Sequence, residues 1–252
     1  MCTPSCLAFG TRMLTRELVA GREVIEVGAL DVNGSLRSHV KALEPARYLG
    51  VDMQAGPGVD EVADASQLVS RYGPESFDLV ITTEMLEHTR NWPEIVSNLK
   101  RILRPGGHLL VTTRSPGFPY HAYPYDFWRY EPADMRKIFG DLDVMTVESD
   151  PASPGVFMLA RRPEAFRETP APLALFSIIT GERTRTVSDL QVRVFRVRYP
   201  VQIRLVALGR RLHLRRRAQK ARRALITARN AAWRALPMST RSFLKRVVFR
   251  RA

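Results

Sequence analysis

Two histidines and a set of carboxylates are spaced as chemistry would need them. Asp52 closes the run Arg47–Val51, 26 residues after Glu26. A carboxylate at such a strand end can accept hydrogen bonds from both hydroxyls of a ribose. Asp64 closes a shorter run, residues 60–64, and reads either as a ligand-facing acid or as a surface one. His88 follows the apolar run 77–82, and His121 sits in the stretch S-P-G-F-P-Y-H-A-Y-P-Y-D-F-W-R-Y-E-P. An imidazole at either place is the kind of group that removes a proton from a hydroxyl. His88 equally suits a helix-entry residue bonded to backbone. Residues 118–130 hold seven of the 21 aromatic residues, too many for an ordinary solvated loop. Tyr123, Tyr125 and Trp128 there form either the wall over an acceptor or a packed structural lid. Asp126 and Arg129 either orient a polar acceptor or pair with each other.

The elements that must position these groups alternate in type. Val24–Val27 is a β-former run that stops at Gly28, and residues 35–41 begin a crossover helix. Residues 47–51, 60–64, 77–82 and 108–113 are further strands; residues 66–72 and 91–103 are helices. The second of these starts at Asn91, with Pro93 in its first turn and Glu94 three residues on, a capping-box spacing. Arg104-Pro105-Gly106-Gly107 breaks it. Residues 11–22 read as a lead-in helix and 133–139 as another helix. Residues 142–148 and 156–161 read as two strands joined by a turn short enough for an antiparallel hairpin. The pattern predicts a doubly wound, seven-stranded Rossmann-like α/β sheet ending in that hairpin. The domains expected are a lead-in over 1–20, a catalytic domain over 21–163, a linker over 164–192 and an extension over 193–252. Residues 190–199 have partial period-2 alternation, which suggests a strand. Beyond them Leu214, Ala218, Ala221, Leu225, Ala228, Ala232 and Ala235 make a narrow helical seam.

Charge divides the chain at the same place. Residues 193–252 carry 17 Arg and 2 Lys with no acid, within a net charge of +14 overall. The body is therefore net acidic. A basic extension of this kind suits an anionic partner, either nucleic acid or an anionic membrane surface. No apolar run approaches the 18 residues a membrane span needs. Cys2 and Cys6 are the two cysteines. With no signal-like segment before them, the expectation is a reducing, cytoplasmic setting, with peripheral membrane contact through the extension open.

The loop after the first strand narrows the ligand. A dinucleotide pyrophosphate needs several small residues so that helix-terminal amides can cradle two phosphates. Here Leu30 and Asp31 would put bulk and negative charge into that cradle. S-adenosylmethionine (SAM) has no phosphate, and its sulfonium and ammonium groups favour nearby carboxylates. The segments E-V-G (26–28), Asp52, D-A-S (64–66), F-D-L-V-I-T-T-E-M-L-E-H (77–88) and L-R-P-G-G-H-L-L-V-T-T (103–113) resemble the class I SAM-dependent methyltransferases. The resemblance is to the branch with the methyltransferase type 11 domain, and covers about residues 20–162. It implies that Glu26 and Gly28 flank the methionine moiety and that Asp52 binds the ribose. It also implies that Met53 packs on the adenine, with Asp64 and Ala65 at the adenine edge. Thr83 would lie beside the cofactor, with Glu84 next in the wall opposite. Gly28 and Gly34 bracket a longer loop than the G-x-G-x-G of that family. The H-x-Y-P-x-D-F-W-R stretch resembles loops of methyltransferases of glycan and natural-product pathways. The expected activity is O-methylation of a small-molecule or glycan-type acceptor. The alternatives are an RNA methyltransferase that grips phosphate with its basic extension, and a non-catalytic module of the same fold.

Overall fold

The computed structural model describes residues 2–121, 126–201, 203, 204 and 225. Tyr123, Tyr125 and, apart from Leu225, the alanine-rich seam lie outside the described residues. Close contacts group residues 1–195 into one compact unit and 196–252 into another.

Alternation of apolar side chains fixes the layers of the first unit. In β1 (Glu23–Val27) and β4 (Phe77–Thr83), Ile25, Val27 and Val80 face one side of the sheet, while Val24, Leu79 and Ile81 face the other. Both sides are therefore apolar and both must be covered. Helices α1 (Pro4–Met13), α2 (Arg16–Val19) and α3 (Arg37–Ala42) supply Phe9, Val19 and Val40 to one side. Helix α5 (Trp92–Arg101) and α6 (Pro132–Ile138) supply Ile95, Leu99, Met135 and Ile138 to the other. Short α4 (Leu68–Tyr72) adds Leu68 there.

The sheet itself has seven strands in the order β3-β2-β1-β4-β5-β8-β7. Its further members are β2 (Arg47–Asp52), β3 (Glu61–Val62), β5 (Leu103–Arg114), β7 (Asp143–Ser149) and β8 (Gly155–Arg161). The first five are parallel; β8 and β7 form the expected antiparallel hairpin. Strand order reverses between β1 and β4, so the loops after both open into one crevice.

Four expectations need correction or adjustment. The lead-in is two helices and begins at Pro4, because Thr3 caps α1 by accepting from the Cys6 amide at 3.3 Å. The Arg104–Gly107 breaker lies within the span of β5: Leu103 pairs with Phe77 before it, His108 with Leu79 after it. Gly106 and Gly107 meanwhile exchange backbone hydrogen bonds with Arg162. Residues 175–184, expected as linker, form β9 (Leu175–Ser177) and β10 (Glu182–Thr184). These pair with β6 (Trp128–Arg129) in a separate three-stranded antiparallel sheet. Finally, residues 189–201 are helical, not a strand. Val192 and Phe195, three apart, pack on the core, so the spacing that mimics alternation is a helical stripe here.

Candidate active site

The parallel strands deliver their carboxyl ends to one edge, and most of the expected site residues stand there. Gly28 follows β1 with φ +84, a left-handed conformation that glycine adopts without strain. A Cβ at Gly28 would also lie 2.8 Å from the Met85 side chain. The glycine thus lets the loop after β4 close directly against the loop after β1, which joins the two walls of the crevice. Asp52 ends β2 half-buried. Its Oδ2 accepts from the Leu30 amide at 3.2 Å and its Oδ1 from the Gln54 amide at 3.0 Å. Each oxygen keeps a lone pair, so the carboxylate is held in place with capacity left for a sugar diol. Asp31 turns its own loop by accepting from the Gly34 amide at 2.8 Å. Met53 is 69% accessible, as a face for a flat ring would be. Asp64 caps the 3₁₀ turn Ala65–Gln67 through the Ser66 amide at 2.8 Å, so the carboxylate serves the turn that presents Ala65.

Glu26 is buried under Tyr48, whose hydroxyl donates to it. Burial is the main reason its carboxyl is pushed up to about 8, with the Cys2 thiol adding to the rise and Arg37 opposing it. Thr83 accepts from the Cys2 Sγ at 3.1 Å, and Cys6 Sγ meets Thr112 Oγ1 at 3.2 Å. Both thiols are free, so the amino-terminal segment is held over strands β4 and β5 without a disulfide. The raised Glu26 has a stability consequence. A carboxyl that titrates near 4.5 when unfolded and near 8 when folded stabilises fully below pH 4.5 and progressively less as pH rises to 8. Glu26→Gln removes that penalty, about 3 kcal/mol at pH 7. It should therefore raise the melting temperature at pH 8 and leave it nearly unchanged at pH 4.5. Equal shifts at both pH values would rule this out.

The loop after β4 is a 3₁₀ turn, Leu86–His88, entered through Glu84 with φ +53. Glu84 is buried and pairs with Arg114, which also reaches Asp150 at 3.4 Å. Burial and the neighbouring Glu87 charge push Glu84 up to about 8 against the pull of Arg114. Glu84 thus faces inward in an ion-pair chain. Glu87 is fully buried: Oε2 accepts from Thr113 Oγ1 at 2.8 Å, while Oε1 lies 3.8 Å from Nε2 of both His88 and His121. The two imidazole centroids are 4.8 Å apart. His121 is aimed by Asp126, whose Oδ2 is 3.0 Å from its Nδ1 and also accepts from its amide.

Asp126 and Arg129 pair with each other, one of the two arrangements left open by the sequence. Arg129 donates to both Asp126 oxygens, at 2.5 and 2.9 Å, and to the carbonyls of Phe118, Pro119 and Trp128. Burial pushes the Asp126 carboxyl up, but Arg129 and His121 outweigh it and hold the group far below the usual range. Trp128, expected to face an acceptor, is instead a core residue. Its indole N–H donates to the carbonyls of Thr89 and Arg90, and β6 pairs on to β9. The aromatic segment is therefore, at this end, a structural lid that carries His121 on its rim. Truncating Arg129 to Ala would strand a buried carboxylate and free three carbonyls. Denaturant unfolding should then show a loss of 3–5 kcal/mol, by analogy with broken buried pairs (roughly); a loss below about 1 kcal/mol would contradict the bracing role.

Glu87, Thr113 and Arg114 escape a reading by sequence alone. Glu87 was visible within E-M-L-E-H. What the sequence does not show is that Phe127 and Tyr130 fold back on this turn, through the Phe127 amide to the Glu87 carbonyl at 2.8 Å and the Tyr130 hydroxyl to the Leu86 carbonyl at 3.2 Å.

Comparison with known proteins identifies the domain. The family of methyltransferase domains matches over residues 5–141. The phthiotriol/phenolphthiotriol dimycocerosates methyltransferase of Mycobacterium leprae is 31% identical over 128 residues, 46% of each chain. The ubiquinone biosynthesis O-methyltransferase of Ralstonia nicotianae is 30% identical over 108 residues, 38% of this chain and 44% of that one. The chain thus spans less than half the length of these curated relatives. Among solved structures, the 1,6-didemethyltoxoflavin-N1-methyltransferase of Burkholderia thailandensis, with S-adenosylhomocysteine bound, superposes with TM-score 0.50 at 15% identity. It covers 62% of this chain and 78% of that one, a likeness of fold.

Proposed function

The chain belongs to the methyltransferase-domain family, and from that premise we propose that it moves a methyl group from SAM to a hydroxyl of a small-molecule or glycan-type acceptor. Bound SAM supplies a methyl carbon activated by its sulfonium, whose carbon–sulfur bond breaks with the electron pair left on sulfur. The rest is alignment and proton removal by this chain. Asp52 grips the ribose hydroxyls, Met53 covers the adenine, and Asp64 with Ala65 borders its edge. Glu26 and Gly28 flank the methionine end, where the cofactor ammonium favours the ionised form of Glu26. Thr83 ends β4 in the facing wall, and Glu84 braces that wall from inside through its pair with Arg114. The acceptor lies against His88 and His121, and its hydroxyl proton passes to the imidazole at His121, whose orientation Asp126 fixes.

One observation carries the choice of a hydroxyl acceptor. Two imidazoles converge on a buried carboxylate at the crevice mouth, 3.8 Å from each. Such a group suits an acceptor that must lose a proton. The O-methyltransferase among the relatives supports the same choice. The test is transfer of tritium from labelled SAM into fractionated cell extract, with products sorted into lipid, glycan, RNA and protein. Label in a methyl ether of a lipid or glycan is the expected result. Label confined to RNA, or bound SAM with no transfer to any fraction, would defeat the proposal.

A specific feature favours an anionic lipid surface over RNA for the basic extension. Val197 and Val201 are exposed four apart, on one helix face of the second unit, with Arg198 beside them. Apolar residues among arginines fit an interfacial helix, whereas RNA would leave the valines in water. Among the described residues no helix is long and apolar enough to cross a membrane. Flotation with phosphatidylglycerol vesicles, but not with phosphatidylcholine ones, checks this contact.

A further inference from the structure

Glu87, His88 and His121 offer one carboxylate oxygen and two ring nitrogens, all within 4.8 Å of one another. Within that group Glu87 is anomalous. It is fully buried, and its Oε1 has no hydrogen-bond partner among the described residues. A buried carboxylate oxygen left unpaired is costly. Rotation does not relieve it, because Oε2 is fastened to Thr113 at 2.8 Å. Oε1 is therefore held facing the Nε2 atoms of both imidazoles.

We propose that Glu87, His88 and His121 form a site for a first-row divalent cation such as Mn²⁺, Fe²⁺, Co²⁺ or Zn²⁺. Two imidazoles and one carboxylate suit these ions, whereas Mg²⁺ prefers oxygen ligands throughout. Ligand bonds of about 2.1 Å place donor atoms roughly 3 Å apart. Closing from 3.8 Å at the carboxylate oxygen, within a group of donor atoms that spans up to 4.8 Å, needs movements of about an ångström at the side-chain tips. The outer support is in place too. Asp126 Oδ2 lies 3.0 Å from His121 Nδ1, which directs the opposite nitrogen at Glu87, and Arg129 clamps Asp126 in turn. A carboxylate behind a ligating imidazole is the usual second layer of a metal site. Three protein ligands leave further positions for an oxygen of the acceptor.

The catalytic consequence rests on the proposed methyl transfer. With a cation bound, both imidazoles would serve as ligands and the ion would ease loss of an acceptor hydroxyl's proton to solvent; without one, His121 keeps its role as the base. The site itself does not depend on turnover.

The test uses the full chain, stripped with a chelator and saturated with S-adenosylhomocysteine. It is titrated with Mn²⁺, Co²⁺ and Mg²⁺ by calorimetry, with Mn²⁺ also followed by electron paramagnetic resonance. One Mn²⁺ or Co²⁺ per chain is expected, with Mg²⁺ at least about tenfold weaker. Glu87→Gln and His121→Ala should each weaken binding about 100-fold; His88→Asn reads the same contact should either fail to fold. Absence of saturable binding, or binding that survives all of these substitutions, overturns the site. Methyl transfer measured in parallel separates the two proposals. Cation binding without transfer to any acceptor defeats the proposed function and leaves the site standing. Transfer undiminished by the chelator, in a chain that binds no cation, defeats the site alone.

Discussion

His121→Ala should lower the turnover number for methyl transfer by about 10²–10⁴-fold, the range seen when a positioned proton acceptor is lost. The Kd for SAM should stay within about threefold, because the carboxylate expected to hold the cofactor, Asp52, is fastened to the Leu30 and Gln54 amides. The argument is geometric. His121 Nδ1 lies 3.0 Å from Asp126 Oδ2, so the ring presents Nε2 to the crevice, where Glu87 Oε1 waits 3.8 Å away. That nitrogen is needed whether it accepts a proton or binds a cation. His121→Gln retains a polar tip without the imidazole and should be nearly as inactive. Steady-state kinetics with saturating SAM, beside calorimetry for SAM itself, decide the point. A turnover number within tenfold of wild type would place proton removal elsewhere. A matching fall in SAM affinity would instead mean that the loop had collapsed.

Asp52→Ala should raise the Kd for SAM about 100-fold. A charged acceptor is worth roughly 1.5–3 kcal/mol per hydrogen bond, and each 1.4 kcal/mol is a factor of ten. Two ribose hydroxyls on one carboxylate therefore account for about two to four powers of ten, and 100-fold is the lower end of that range. The substitution also removes the acceptor for the Leu30 and Gln54 amides, so part of the loss comes from a loosened loop. Asp52→Asn separates the two contributions. It keeps one acceptor oxygen for the loop but loses the charge, and should fall between wild type and Asp52→Ala. Calorimetric affinities within threefold of one another across the three proteins would remove Asp52 from the cofactor site.

The sequence alone determined the sheet and which residues stand together along its carboxyl edge. The carboxyl ends of strands are marked by local signals: apolar, β-forming runs that stop at Gly28, Asp52 or Thr83. In a parallel sheet every such end must lie on the same edge, so Glu26, Asp52, Met53 and Asp64 could be grouped without coordinates. Only tertiary structure decided what covers that edge. The alternation in residues 190–199 fits a strand or a helix equally well in isolation, and the packing of Val192 and Phe195 selected the helix. Trp128 reads as a wall residue until β6 is seen to pair with β9, nearly 50 residues later, and bury it. Glu87 reads as one acid among several until Thr113 fixes one oxygen and two imidazoles converge on the other. Periodicity and turn chemistry act over a few residues and are legible in order along the chain. Burial and the company of a charge depend on contacts between distant segments, and those exist only once the chain has folded.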